Sequence, residues 1–299
     1  MREPAAPPRV VPLKAQLAAL LGSFVGQIGW ALAAFGAIFV IIFGVDSEAV
    51  TALEFGGQLG TTRGVVQSVE ETNSRENKRR IFRVLYRYSI DGKGEREGRS
   101  YSLSSKLQPG QEVPVEYPVA HPERSRIQGL RARTFGAGGA LTLIFPLVGL
   151  GLALFGLPTG LRRRRLLRVG KVARAKLVSK VATTAQVNKQ PVYVLMFELS
   201  VPKESEVFGY RQAAVSEPAE TYMVTHKTFE TRVLEDDAEE RFLYDPRNPS
   251  CAYPIDALPG EVLIGESGEL DASKTTYLSA LAPALALALL GLAALLALT

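Results

Sequence analysis

The chain has 299 residues, room for about two small domains beside any membrane segments at roughly 100–150 residues per domain. Charged residues make up 22% and apolar ones 46%, but three long stretches hold no charge and the remainder is densely charged, the segregation of a protein that meets two solvents. The net charge of +5 comes mostly from one run beginning at Arg162; no basic groove interleaved with aromatics accompanies it, which argues against nucleic acid. Cys251 is the one cysteine, so no intramolecular disulfide is available, and a free thiol fits a reducing compartment. His121 and His226 alone cannot build a zinc site, and no cofactor signature is present.

Residues 1–14, with Arg2, Arg9 and Lys14, read as a tail. Residues 15–45 are uncharged except at the last position's neighbour Asp46, with Gln16, Ser23 and Gln27 the clearly polar side chains. A bilayer core of about 30 Å needs roughly 20 helical residues, so this stretch exceeds the requirement. Trp30 lies near its middle although Trp prefers headgroup depth. Either the helix core runs over about 25–43 after an interfacial approach, or Trp30 packs on another helix; the first reading is preferred. The apolar region is too long for a cleaved signal peptide and no clean small-x-small site follows, so an uncleaved anchor is expected.

Residues 46–133 read as the first β-domain. Residues 64–69 supply a strand, and Phe82, Val84, Tyr86, Tyr88 and Ile90 alternate with Arg83, Leu85, Arg87 and Ser89, the period of two that buries one strand face. Asp91-Gly92-Lys93-Gly94 and Pro109-Gly110 are turn signals, and Val113, Val115 and Tyr117 form another alternating run.

A second uncharged stretch, 134–161, lies between Arg133 and Arg162 and contains Pro146, a kink that a helix bundle tolerates. Arg162, Arg163, Arg164, Arg165 and Arg168 follow it. Their plain reading is a positive-inside stop; the functional one is contact with anionic lipid headgroups, and the two are compatible.

Residues 162–258 read as a second β-domain. A candidate strand covers 170–181; Tyr193, Leu195, Phe197, Leu199 and Val201 alternate; Phe242 and Tyr244 stand where Val115 and Tyr117 stood. A linker, 259–274, precedes a third apolar stretch, 275–299, with Pro283 inside and Tyr277 as an interfacial anchor. The Lys/Arg bias places the N-terminus and the segment after Arg162 inside and residues 46–133 outside, although Arg124, Arg126, Arg131 and Arg133 precede the second helix on the opposite side.

The expected fold class is thus an α+β membrane protein: three transmembrane helices and two homologous small all-β domains, barrel- or sandwich-like. Both domains end alike, Tyr117-Pro118-Val119-Ala120-His121-Pro122 beside Tyr244-Asp245-Pro246-Arg247-Asn248-Pro249, a strand running into a proline-fixed turn. With Gly64-Val65-Val66, Tyr86-Arg87-Tyr88-Ser89-Ile90, Leu107-Gln108-Pro109-Gly110 and Val113-Pro114-Val115-Glu116-Tyr117, this pattern resembles an uncharacterised family of bacterial membrane proteins, known only as a domain of unknown function. The first copy departs from it at Pro118 and His121, and the second lacks the Leu-x-Pro-Gly turn. The resemblance, over about residues 15–258, implies a bacterial inner-membrane location and no established activity.

Gly22 and Gly26, and Gly156 and Gly160, form small-xxx-small pairs suited to close helix contact, within the chain or in self-association. The acidic run 235–240 lacks the spacing and glycine of a calcium loop and reads as a solvated loop; His226 has no evident partner. No phosphate loop, nucleophile elbow or His-Glu-x-x-His occurs, and the apolar stretches hold no ionisable group to mark an ion path. The expectation is a non-catalytic envelope protein whose β-domains bind protein partners or sense a signal. The alternative is a subunit of an oligomeric transporter or channel.

Overall fold

The computed structural model describes residues 3–90, 94–104, 106–187, 189–202, 204–207, 210–213, 219–258, 260 and 262–298, with the side chains of 204–207, 210–213 and 298 left aside. The turn expected at 91–93 lies outside the described residues. Three helical segments are long and apolar enough to cross a membrane: Phe24–Gly44, Ala137–Val169 and Leu278–Ala297, of 21, 33 and 20 residues. The chain divides into two compact units, Met1–Ile28 with Leu152–Pro283 and Gly29–Gly151 with Ala284–Thr299. Each holds one β-domain and its own part of the long helices.

Helix α1 (Leu13–Leu21) ends at Gly22, whose N–H bonds the Ala18 carbonyl at 2.8 Å. Helix α2 (Phe24–Phe39) runs on through a π-helical turn, Val40–Gly44. The over-long apolar stretch is thus two helices, with a break at Gly22-Ser23. Trp30 also packs, with Leu150 and Leu289, against Ala33, Ala34 and Ala286, so its two readings were not exclusive. After α3 (Glu48–Glu54) and the first β-domain, a 3-10 segment, Ala137–Leu143, leads into α4 (Ile144–Val169). The kink expected at Pro146 is therefore displaced. Pro146 sits in the first turn, where its missing N–H has no helical acceptor to lose, and the interior proline is Pro158. Nor does the helix stop at Leu161: it continues through the arginines to Val169, and Gly170 passes directly into the next strand. Helix α5 (Leu278–Leu298) carries Pro283 in its second turn.

Small residues let α2 and α4 touch backbone to backbone. In the Gly29–Gly151 unit, a methyl added at Gly149 would lie 2.7 Å from the Gly29 carbonyl oxygen and 2.9 Å from Ala33 Cα, and one at Gly36 would lie 2.6 Å from Phe145 and Pro146 side-chain atoms. In the other unit, Gly156 meets Gly26 (3.2 Å from an added methyl) and Gly160 abuts the Leu20 carbonyl. The small positions on α4, Gly149, Ala153, Gly156 and Gly160, recur at intervals of four, three and four, the spacing that keeps one helix face turned to a neighbour.

The first β-domain comprises β1 (Leu59–Glu76), β2 (Arg79–Ile90), β3 (Gly94–Ser102), β4 (Glu112–Pro118) and β5 (Arg126–Ile127), antiparallel, in the order β3-β2-β1-β4-β5. The sheet curls until its ends meet: Tyr101 and Arg131 exchange backbone hydrogen bonds of 2.7 and 3.1 Å, and the Ile127 N–H donates to Ser100 Oγ at 2.8 Å. Val66, Val84, Tyr86, Tyr88, Val113, Val115 and Ile127 fill the interior.

The second domain has β6 (Lys171–Val187), β7 (Gln190–Val201), a small hairpin β8 (Glu204–Val207) and β9 (Tyr210–Ala213), β10 (Glu220–Thr228), β11 (Glu240–Asp245) and β12 (Asn248–Pro254). Its main sheet has the order β10-β7-β6-β11-β12, the same path as the first. The match extends to register. With a constant offset of 111 residues, Val66 opposite Tyr86 corresponds to Leu177 opposite Phe197, and both long strands are irregular at the next step. Thr72 and Thr183, also 111 apart, each donate to a β2 or β7 carbonyl at 2.8 Å across a second irregularity. The first hairpin turns on Asn77-Lys78, and their left-handed conformations (φ 48° and 66°) are those a two-residue hairpin of matching twist demands; Lys189, 111 residues after Lys78, is left-handed too (φ 65°).

Within the stretch expected as a linker, 259–274, residues 262–274 are structured. They form the hairpin β13 (Leu263–Ile264) and β14 (Leu270–Asp271), and Leu258, Val262, Leu270 and Ala272 share a core with Ala15, Ala19, Leu166, Leu167, Leu243 and Ile255. That core seats the second barrel on α1 and the end of α4.

Candidate functional site

At about 100° per residue, consecutive arginines on a helix point in different directions, so the α4 run divides its labour. Arg164, Arg165 and Arg168 share one face with Leu161 and line a cleft of about 1020 Å³, together with Pro8, Arg9, Val10 and Val11 of the N-terminal strap (residues 3–12), Gln16 of α1, Val169, and the Asp245-Pro246-Arg247 turn. Arg163 turns to the barrel and lies over the Tyr253 ring, 4.7 Å from its centroid. Arg162 is exposed and outside the cleft.

Within the cleft, Asp245, 8% exposed, pairs with Arg165 at 3.0 Å and accepts the Arg247 N–H at 3.0 Å. The ending shared by the two domains thus has a mechanical role here: Asp245 fixes the turn before Asn248 and Pro249 and ties it to α4, while Tyr244 faces the barrel core. Arg164 Nε donates to Gln16 Oε1 at 3.0 Å. Arg168 and Arg247 are exposed and, among the described residues, have no carboxylate partner. One aspartate therefore faces five cleft arginines, and the local field favours an anion.

Arg9, counted with the tail as a free charge, is buried. Its Nη1 donates to the Gly170 carbonyl at 2.8 Å, its Nε to that of Ala5, and its backbone N–H to the Arg168 carbonyl at 2.8 Å. A cation there satisfies orphan carbonyls and complements the negative end of α4. Arg9→Met should loosen the strap by about 2 kcal/mol, the range for hydrogen bonds to a charged group. Amide exchange at Ala5 and at position 9 should accelerate by about tenfold or more, with exchange in the barrel strands unchanged.

In the first domain the matching ending is held differently. The Tyr88 hydroxyl donates to the Pro122 carbonyl at 2.8 Å, His121 Nδ1 lies 3.2 Å from Glu123, and half-buried Tyr117 packs against the barrel core. The four arginines that precede the second long helix are all paired: Arg124 and Arg133 with Glu54 at 2.9 and 2.6 Å, Arg126 with Glu116 at 3.1 Å, and Arg131 with Glu76. Two of these pairs converge on Glu54 at the end of α3, which has no basic residue.

His226 has a partner that sequence reasoning missed. It is buried on β10, edge-on to Tyr253 of β12 with centroids 5.0 Å apart, and helps close the second barrel where Ser100 closes the first. Burial, then the nearby Arg163, pull its pKa down to about 4, so it stays neutral at pH 7. The acidic run is only partly a solvated loop. Glu235 pairs with Lys180 at 2.7 Å, but Glu240 opens β11 and is 2% exposed, facing inward like Phe242 and Tyr244. Among the described residues no group of three or more His, Cys, Asp or Glu is disposed to hold a metal ion.

Of the residues singled out from sequence, the structure brings Arg164, Arg165, Arg168 and Asp245 together and sets Gly26 against Gly156, with Gly160 against Leu20; Gly22 instead caps α1. Arg9, Gln16 and Arg247 were missed as cleft residues. The spacing of Leu161, Arg164, Arg165 and Arg168 was the available signal for the helix face; nothing local signals the strap.

Residues 62–131 match the family described as Domain of unknown function (DUF3592). The match begins within β1 and ends at the Arg131 that closes the first barrel. No curated protein matches the chain.

Proposed function

We propose that this chain is a non-catalytic integral membrane protein of the bacterial envelope, with duplicated β-barrels that bind protein partners or sense a signal on opposite sides of the bilayer. The observation that carries the reading is the repeated unit itself: two five-stranded barrels with the same path, register and irregularities, separated by one long apolar helix. A single crossing between them would put one barrel on each side. Two charge patterns support an orientation with the N-terminus and second barrel inside: exposed arginines gather on the last turns of α4, whereas the four that precede the second long helix are paired with carboxylates.

Half-buried Cys251 on β12 reports on this directly. A membrane-impermeant maleimide should label it in lysed cells and not in intact ones; labelling in intact cells would reverse the topology. Crosslinking should then recover a discrete partner. The alternative, an oligomeric transporter or channel subunit, relied on small-residue helix faces being free for other chains. Gly26, Gly156 and Gly160 are instead occupied within the chain, which weighs against it, and a ring-like oligomer in detergent would restore it.

A further inference from the structure

We infer that the cleft between the strap, the last turns of α4 and the Asp245-Pro246-Arg247 turn is a specific site for a phosphate-bearing anion, with the headgroup of an anionic phospholipid as its natural occupant. This rests on the reading that α4 crosses a membrane.

Three features converge. The first is depth. The apolar part of α4 ends at Leu161, and at 1.5 Å per residue Arg164 and Arg165 lie about 5 and 6 Å beyond it, while Arg168, about 10 Å beyond, carries a side chain that leans back toward the helix N-terminus and so toward the hydrocarbon. The headgroup layer occupies roughly the 5–7 Å outside each face of the hydrocarbon. The second is amphipathic lining. Leu161, Val10 and Val11 border the same cleft as the guanidiniums, so a molecule with an acyl-bearing end and a phosphate end is matched at both. The third is preorganisation. Arg165 is fixed by Asp245 and Arg164 by Gln16, while Arg168 and Arg247 project from two different elements without a carboxylate partner among the described residues, leaving planar donors for phosphate oxygens. A mere stop signal needs none of this: it counts charges near a helix end, whatever face they occupy. Here the helix face decides. Arg162 has the same charge, sits nearer the apolar part of α4 than any of the cleft arginines, and lies outside the cleft.

That difference is the test. The full chain and the variants Arg168→Gln, Arg247→Gln and Arg162→Gln would be reconstituted in nanodiscs of phosphatidylcholine with 20% phosphatidylglycerol (about one lipid in five, to keep bulk surface charge modest). Lipid retained after transfer to detergent would be counted by native mass spectrometry. Wild type should retain phosphatidylglycerol over phosphatidylcholine. Arg168→Gln and Arg247→Gln should each weaken retention about fivefold, and Arg162→Gln by less than about twofold. Arg168→Lys, which keeps the charge and loses the planar fork, should recover part of the loss and shows that the fold tolerates change there. Equal effects of Arg162→Gln and Arg168→Gln, or equal retention of the two lipids, would overturn the site. A second arm adds inorganic phosphate to the detergent-solubilised chain. Stabilisation by phosphate but not by phosphatidylglycerol would keep the anion chemistry and reject the lipid as occupant. Extraction of the chain from membranes by alkaline carbonate would instead defeat the membrane reading, independently of the cleft.

Discussion

Gly149→Leu is expected to lower the stability of the helix packing by about 3 kcal/mol or more. Overpacking usually costs about 1–3 kcal/mol because side chains can turn aside. At Gly149 the obstacles are the backbone of Gly29 and Ala33, which cannot turn aside, so α2 and α4 must separate along their contact. Separation also strips the close approach on which association depends where water offers no hydrophobic drive. The one tryptophan makes this measurable: Trp30 packs beside Leu150 in the same unit. Titrating sodium dodecyl sulfate into the chain in a mild detergent should show Trp30 emission shifting at a lower denaturant fraction for Gly149→Leu than for wild type. Leu150→Ala, which leaves the backbone contact intact, should shift it less. An unchanged midpoint for Gly149→Leu would mean that the two helices do not meet there.

The second large effect concerns Glu240. Register places it opposite Ala175 in the second barrel as Val113 stands opposite Gly64 in the first, so a carboxyl occupies a position that the other barrel gives to valine. It is 2% exposed and neither oxygen closes a hydrogen bond. Burial, followed by the negative charges of Asp236, Asp256 and Asp237, pushes its pKa from 4.5 up to about 7. The folded chain therefore holds this proton more tightly than the unfolded one. Below about pH 4.5 the group is protonated in both states and costs little. As the pH rises from there through 7 the unfolded state gains from ionisation first, and stability falls by up to about 3 kcal/mol. Glu240→Val should raise the stability of this barrel by about that amount at pH 8 and by less than about 1 kcal/mol at pH 5. Pulsed thiol labelling of Cys251, on the strand next to β11, follows opening of the same barrel. A gain independent of pH would mean that packing, and not ionisation, separates the two residues.

Both barrels were legible from alternation, because a strand with one face in a core must place apolar residues at every second position; Tyr86 and Tyr88, and Leu195, Phe197 and Leu199, are now found buried. Glu240 shows where that reading stopped short. Its period-two relation to Phe242 and Tyr244 was visible, but five exposed or loop residues before it, four of them acidic, drew it into a solvated run. The α4 arginines were counted as a block because positive-inside reasoning has no angular term; the helix supplies one. Arg9, Asp245 and the 259–274 segment meet partners far away in sequence, and no local pattern encodes such pairings. Pro146 and Pro158 illustrate a smaller failure: a proline's effect depends on which turn it occupies, and the 3-10 segment before α4 moved the helix start.

The junction at Gly170 has a mechanical consequence. The first barrel is joined to α2 through α3 and a stretch of loop, whereas α4 passes into β6 across one residue, and the Arg9 guanidinium, the Arg163–Tyr253 stack and the Arg165–Asp245 pair splint that joint. A splinted helix is a lever. A helix whose apolar length exceeds the local hydrocarbon thickness tilts to fit, and any inclination of this end of α4 is passed undamped to the barrel it carries. On the proposed membrane reading, bilayer thinning would thus swing the second barrel's surface.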